Sequence, residues 1–96
     1  MSVVGFILIS VQTGREHDVQ QALSGMRELA EKYALHYTTH SELGYRFDFL
    51  VKANATDSSA LRTFVEAKIR AIPGVAGIKS IAGMSFSPAD RYIGSP

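Results

Sequence analysis

The sequence contains no cysteine, which excludes a disulfide framework, a thiolate metal site and catalysis by a cysteine nucleophile. Neither charge is in large excess, because ten basic residues face nine acidic residues and the net charge is +1. A dedicated nucleic-acid module would carry a basic stripe, so we expect no direct nucleic-acid binding. No apolar run approaches a membrane span, and no basic segment precedes the first apolar run as in a signal peptide. The composition favours a small cytoplasmic domain.

A chain of 96 residues has room for one domain. A domain of that size buries only about 60–65% of the surface that its unfolded chain exposes, so its core is marginal unless something adds to it. We predict one domain over residues 1–86 and a polar tail over 87–96, where two prolines and a glycine stand.

The amino-terminal part predicts a strand followed by a long helix. Residues 3–11 form a continuous apolar run rich in β-branched side chains, typical of a strand that is covered on both faces. Apolar residues then recur at spacings of three and four, which predicts a helix over about 16–33 with Gly25 in its interior. Thr13 and Glu16 have the spacing of a capping box at its start.

The middle of the chain predicts a β-hairpin. Residues 35–43 favour a half-exposed strand, a turn follows at 43–45, and residues 46–53 alternate between apolar and polar side chains as a second strand does. Asp48 is unusual because it places a carboxylate in this predicted central strand, where it needs a partner. That partner is either Arg46 or a neighbouring chain, or else Asp48 binds a ligand's ammonium group or acts as a general base.

The last part predicts a second helix and a final strand. Thr56 or Asp57 should cap the helix, which ends at Pro73. A last strand should lie within residues 75–86, where Gly77 and Gly83 suggest a bulge or bend. The element order βαββαβ predicts an α+β, ferredoxin-like fold with a four-stranded antiparallel sheet, its first and third strands in the centre and both helices on one face.

The other face of this sheet has no cover in the predicted fold, although apolar residues such as Phe6, Leu8 and Leu50 fall on the sheet without a helix to spare. The simplest cover is a second copy of the chain, sheet against sheet, as in a dimeric α+β barrel. We therefore expect a homo-oligomer that is at least a dimer.

The histidines and glycines do not form a recognisable catalytic or metal-binding motif. His36 and His40 lie on a predicted strand, where four residues span about 13 Å, too far for two ligands of one metal in one chain. No glycine-rich phosphate loop precedes a helix, and no serine stands in a nucleophile motif. We expect no metal and no cofactor.

Three segments resemble the effector domain, or RAM domain, of the Lrp/AsnC feast/famine transcriptional regulators. ILISVQTG at 7–14 resembles its first strand and turn, FDFLVK at 47–52 its third strand, and FVEAKIRAIPGV at 64–75 its second helix and turn. The resemblance covers about residues 6–86 and implies the same βαββαβ fold. It also implies dimers that often assemble into rings, with an amino-acid effector bound between dimers.

The resemblance further implies which residues form the effector site. The family's pocket is made near the loop before the third strand, its aromatic-Asp pair and hydroxyl residues of the fourth strand, which correspond here to Gly44, Phe47, Asp48 and Ser80. Family regulators carry a helix-turn-helix before this domain. Because the first predicted strand begins at Val3, we expect no DNA-reading element in this chain.

The function predicted from the sequence is a stand-alone, non-enzymatic effector-binding module. It would bind a small amino acid or related metabolite and affect transcription through a partner, such as a full-length regulator of the same family. A first alternative is a small dimeric α+β barrel enzyme, of monooxygenase or isomerase type, with His36, Tyr37 and His40 lining a pocket inside one subunit. A second alternative is a structural oligomer without a ligand.

Overall fold

The computed structural model describes residues 2–35 and 47–84. One antiparallel sheet with strand order β2-β3-β1-β4 forms the centre of the protein, and this order confirms the predicted ferredoxin-like α+β fold. In chain order the elements are β1 (Val3–Val11), α1 (Glu16–Ser24), β2 (Leu29–Ala34), β3 (Phe49–Ala55), α2 (Ser58–Phe64), its π-helical continuation (Val65–Ile69) and β4 (Val75–Gly83).

Helix α1 ends nine residues before the predicted boundary, so the helix predicted over 16–33 is wrong in its second half. Gly25 follows the last helical residue, and its backbone N–H still donates to the carbonyl of Gln21. The Lys32 ammonium, from β2, donates to the carbonyl of Ser24 over 3.1 Å. A side chain of the sheet thus satisfies one of the carbonyl groups that a helix end leaves unpaired.

The second strand of the described sheet lies at Leu29–Ala34, inside the segment predicted as helix. Leu29 is buried, and pairing with β3 overrides the helix-forming composition of this segment. The register shifts after Leu29, so that Ala30 is an extra residue in β2 and the alternation of side chains is interrupted. The predicted turn at 43–45 and most of the predicted strand fall outside the described residues.

The core lies between one face of the sheet and the two helices. Gly5, Ile7 and Ile9 of β1 point to this face, and both isoleucines are completely buried. The remaining core residues are contributed by β2, β3, the two helices with the π-helical continuation, and the turn before β4: Val19, Leu23, Leu29, Phe49, Val51, Ala53, Leu61, Val65, Ile69 and Ile72. One continuous cluster therefore joins every described element except β4, which packs against it through partly buried side chains.

The start of α2 and the turn after it follow the sequence signals. Asp57 caps α2 and accepts a hydrogen bond from the backbone N–H of Ala60 over 2.7 Å, as predicted. Pro73 and Gly74 turn the chain into β4, where Gly74 has φ of +101° and its carbonyl accepts from the backbone N–H of Gln12. That φ favours glycine, which explains why the turn has this residue.

Two local predictions at the ends of β1 have different outcomes. The capping box is wrong, because Glu16 accepts a hydrogen bond from the backbone N–H of Gly14 and α1 has no side-chain cap. Of the two glycines predicted to mark a bulge or bend, Gly77 lies at one, since the β1–β4 register shifts between Ser10 and Val11, whereas Gly83 pairs with Val4 without a shift. The hydroxyl of Ser10 donates to the carbonyl of Gly77 over 3.3 Å at this point.

The second face of the sheet is not covered by any element of residues 2–35 and 47–84. We call it the open face: it carries Phe6 and Leu8 of β1, Leu50 and Lys52 of β3, Glu31 and Tyr33 of β2, and Lys79 and Ile81 of β4, as the cross-strand pairs show. Phe6 is 36% exposed and Ile81 is 51% exposed. The described part of the chain therefore leaves these apolar side chains of the open face without cover.

Candidate functional site

Asp48 lies directly before β3, at the end of its pairing with β1, and not inside a strand as predicted. Its carboxylate Oδ2 accepts a hydrogen bond from the backbone N–H of Val11 over 2.9 Å. Its backbone N–H donates to the carbonyl of Ile9, and its carbonyl accepts from the N–H of Leu35. Asp48 is therefore held by neighbours on two strands, and its half-buried carboxylate keeps a fixed direction.

Among the described residues, the partner of the Asp48 carboxylate is a backbone N–H group. Within residues 2–35 and 47–84, this carboxylate accepts one hydrogen bond and forms no ion pair, while Arg46 lies outside the described residues. A carboxylate with a single backbone donor retains lone pairs that can accept from a ligand. Among the residues that the structure describes, Asp48 thus has a fixed position and accepts one hydrogen bond, which leaves lone pairs for a ligand.

Ser80 does not lie next to Asp48 in one chain. Ser80 is exposed on β4 and pairs with Ile7, whereas Asp48 bonds to Val11 from the β3 side of the same strand. Four residues of β1 separate Ile7 and Val11, about 13 Å along the strand, and β1 itself lies between the two side chains. One small ligand cannot contact both side chains of a single chain.

The other predicted site residues are only partly described. Phe47 is half-buried and directly precedes Asp48, as the predicted aromatic-Asp pair requires. Gly44 lies outside the described residues, and so do His36, Tyr37 and His40 of the enzyme alternative. The structure therefore brings together Phe47 and Asp48 and separates them from Ser80.

A polar cluster that the sequence did not predict occupies the middle of the open face. The Lys52 ammonium donates to Glu31 Oε2 over 2.7 Å and lies 5.5 Å from the centre of the Phe6 ring, within cation–π distance. The hydroxyl of Tyr33 donates to the other carboxylate oxygen of Glu31. The hydrogen bond from Lys52 lowers the pKa of Glu31, and the same bond raises the pKa of Lys52. The sequence predicted Glu31 and Tyr33 in a helix, whereas only the pairing of β2 with β3 brings them to Lys52. The cluster therefore could not be predicted.

Acidification is expected to destabilise the protein partly through Glu31. A carboxyl whose pKa is lower in the folded than in the unfolded protein stabilises the fold above its unfolded pKa, and this contribution is lost as the pH falls through the folded pKa. The free energy of unfolding, measured at about pH 7 and at about pH 3, should fall less on acidification in Glu31→Gln than in the unsubstituted protein. An equal loss in both would contradict the prediction, and added salt should reduce the difference because the pair is exposed.

A cavity of about 510 Å³ lies on the helix side of the sheet, between the end of β3 and the first turns of α2. Buried or half-buried apolar residues form its inner part, and exposed polar residues form its rim: Ala53, Ala55, Ala60, Leu61 and Phe64 inside, with Ser2, Glu28, Asn54 and Thr56 outside. None of these lining residues is a histidine. The sequence offered no signal for the cavity, which depends on how α2 lies on the sheet.

The four-stranded sheet with both helices on one face defines a ferredoxin-like α+β domain. The sequence model of the Lrp/AsnC ligand binding domain matches residues 4–87. The chain belongs to the Lrp/AsnC ligand-binding domain family, as its sequence motifs predict. No curated protein sequence matches it significantly.

Solved structures with the same fold include both small proteins and longer regulators. FFRP-DM1 is 26% identical with a TM-score of 0.69, over 85% of this chain and 99% of its own. A hypothetical protein from Pyrococcus horikoshii is 25% identical with a TM-score of 0.68, over 88% of this chain and 92% of its own. A transcriptional regulator from Neisseria meningitidis, solved as a complex with L-Met, is 21% identical with a TM-score of 0.69, over 86% of this chain. The alignment spans only 50% of that regulator.

No helix among residues 2–35 and 47–84 combines the length and the hydropathy that crossing a membrane requires.

Proposed function

We propose that the protein is an effector-binding module that binds a free amino acid and regulates transcription through a partner. Membership of a ligand-binding family supports the binding role, and a fold neighbour was solved with L-Met. On this proposal the chain is not an enzyme, acts in the cytoplasm and does not bind DNA by itself. A full-length regulator of the same family is the partner that its fold fits best, because like domains can pair through like surfaces.

The single observation that carries the proposal is the fixed carboxylate of Asp48. A free amino acid brings an ammonium and a carboxylate that must both be met when it leaves water. Asp48 is held by the backbone of Val11 and of its neighbours, so it offers the ammonium a charge-assisted hydrogen bond without having to be reoriented. Phe47 supplies an apolar surface beside it, and backbone amides of the Gly44 loop would meet the carboxylate of the ligand.

The separation of Ser80 from Asp48 supports a site shared between chains. Since one ligand cannot reach both residues of the same chain, a pocket that uses both takes Asp48 from one subunit and Ser80 from another. Such a site exists only in an oligomer. The open face, with its exposed Phe6 and Ile81, provides the surface on which a first pairing of chains would rest.

Replacing Asp48 with asparagine is expected to weaken amino-acid binding by about 10- to 100-fold, the scale of about 1.5–3 kcal/mol for a hydrogen bond to a charged group. Asparagine keeps the shape and still accepts the hydrogen bond from Val11, so the fold and the assembly should persist. Calorimetric titration with the amino acids that stabilise the protein in a thermal-shift screen measures the change. Asp18→Asn, on the exposed surface of α1, is the matched control and should bind normally.

Two results would contradict the proposal. If none of the twenty amino acids stabilises the unsubstituted protein or releases heat on titration, the amino-acid effector is wrong. If an amino acid binds but its affinity is the same for an intact Asp48→Asn assembly, Asp48 is not part of the site. Light scattering on each variant shows whether the assembly is intact.

A further inference from the structure

We propose that the cavity between β3 and α2 is a second, intrasubunit binding site for a small apolar amine. By apolar amine we mean a molecule with an aromatic or branched aliphatic body and one ammonium end. This site is separate from the effector site proposed above and uses none of its residues.

The cavity exists because the helix layer is incomplete at this end of the sheet. Helix α1 has only nine residues, and the loop after it brings Glu28, and not another helical turn, to the edge of the cavity. The alanines at positions 53, 55 and 60 leave the space between strand and helix unfilled. Its volume of about 510 Å³ lies within the range of about 300–1,000 Å³ that small-molecule sites have.

The lining decides the class of ligand. Leu61 is buried and Phe64 is half-buried, so the inner part of the cavity offers apolar contacts to the body of a ligand. The polar side chains at the rim include one charged group, the carboxylate of Glu28, together with the hydroxyls of Ser2 and Thr56. No lysine or arginine lines the cavity among the described residues. The Glu28 carboxylate attracts a ligand's ammonium group to this rim. It repels a ligand's carboxylate, for which the described rim offers no basic side chain.

The cavity stays accessible when chains pair through the open face. Ala53 pairs with Gly5 and points to the helix side, which is opposite to the open face. The cavity also lies at the far end of β3 from Asp48, because six residues separate Asp48 from Asn54 and span about 20 Å. Occupation of one site therefore leaves the other free.

The test uses 2-phenylethylamine as the probe and follows backbone amide signals by NMR. We expect signals of the Ala53–Leu61 segment to shift, while L-phenylalanine, which adds a carboxylate to the same body, binds this cavity at least about 10-fold more weakly. Ala60→Leu fills the cavity and should weaken binding of the amine at least about 10-fold. Ala67→Leu, at an exposed position of the π-helical segment, makes the same change away from the cavity and should bind normally.

The variant Glu28→Gln gives a second test of the site, which does not depend on filling the cavity. Glu28 is exposed, so this variant should fold normally and bind the amine several-fold more weakly. Absence of any shift in the Ala53–Leu61 segment at about 10 mM amine, ten times a Kd of 1 mM, would overturn the proposal. Equal affinity in a folded Ala60→Leu variant would do the same. Asp48→Asn should leave amine binding unchanged, so a failure of the effector proposal is distinguishable from a failure of this one.

Discussion

Replacing Gly5 with valine is expected to lower the free energy of unfolding by about 1–3 kcal/mol, the range for overpacked cores. A Cβ at position 5 would lie 2.8 Å from Leu61 Cδ2 and 3.1 Å from Leu61 Cγ, and closer still to Cδ1. Leu61 is 4% exposed and is enclosed by the core except where it lines the cavity between β3 and α2, so its Cδ atoms can shift only toward that cavity. Valine favours strands more than glycine does, which makes the contact with Leu61 the source of the loss.

Denaturant unfolding at a fixed protein concentration measures this effect, because the proposed assembly would make stability concentration-dependent. Leu61→Ala alone should cost about 2–5 kcal/mol, as the loss of a buried leucine does. The double variant Gly5→Val with Leu61→Ala should lose clearly less than the two single losses together, since the truncated side chain vacates the space that valine needs. Additive losses would show that Leu61 is not the cause.

Gly25→Val is the matched control for the glycine substitution. A Cβ at Gly25 would have its nearest neighbour at 3.8 Å, an ordinary contact, and the residue has φ of −84°. We expect a change within about 0.5 kcal/mol, as is usual at exposed positions. A loss as large as that of Gly5→Val would mean that the glycine backbone, and not its close approach to α2, is what matters.

Most of the fold could be predicted from the sequence because its strongest signals are local. The apolar run of β1, the cap at Asp57 and the turn at Gly74 each depend on a few neighbouring residues, and all three are found where the sequence places them. The boundary of α1 could not be predicted in the same way. Leu29 and Tyr33 continue the spacing of three and four by coincidence, and the bulge at Ala30 removes the alternation that would have identified a strand.

The sequence could predict which residues form the candidate site, but not their hydrogen-bond partners or their positions relative to one another. The sequence shows that Asp48 needs a partner, because its neighbours are apolar. Which group is that partner depends on the β1–β3 register, which places the backbone N–H of Val11 beside the carboxylate. The relation of Asp48 to Ser80 also depends on strand order, because β1 separates them. Sequence proximity and residue type carry no information about either pairing.

Replacing Ile81 with lysine is expected to dissociate the protein into folded monomers at micromolar concentration. Ile81 is 51% exposed in the single chain, so the change removes little from the core of a subunit. If the open face is covered by a second copy, the new ammonium must be buried beside Phe6, on a face where Lys52 already has the Glu31 carboxylate as its partner. Burying an unpaired charge costs several kcal/mol, which corresponds to a dissociation constant at least about 100-fold higher.

Sedimentation or light scattering at a few concentrations measures this change, with Ala67→Lys on the exposed surface of α2's continuation as the control that should assemble normally. An unsubstituted chain that is a stable folded monomer would refute the assembly itself, and the site shared between chains would be refuted with it. If instead the unsubstituted chain is an oligomer and Ile81→Lys has the same size, the chains meet through another surface. In that case no second copy covers Phe6 and Ile81, because a buried lysine at position 81 would not leave the assembly unchanged.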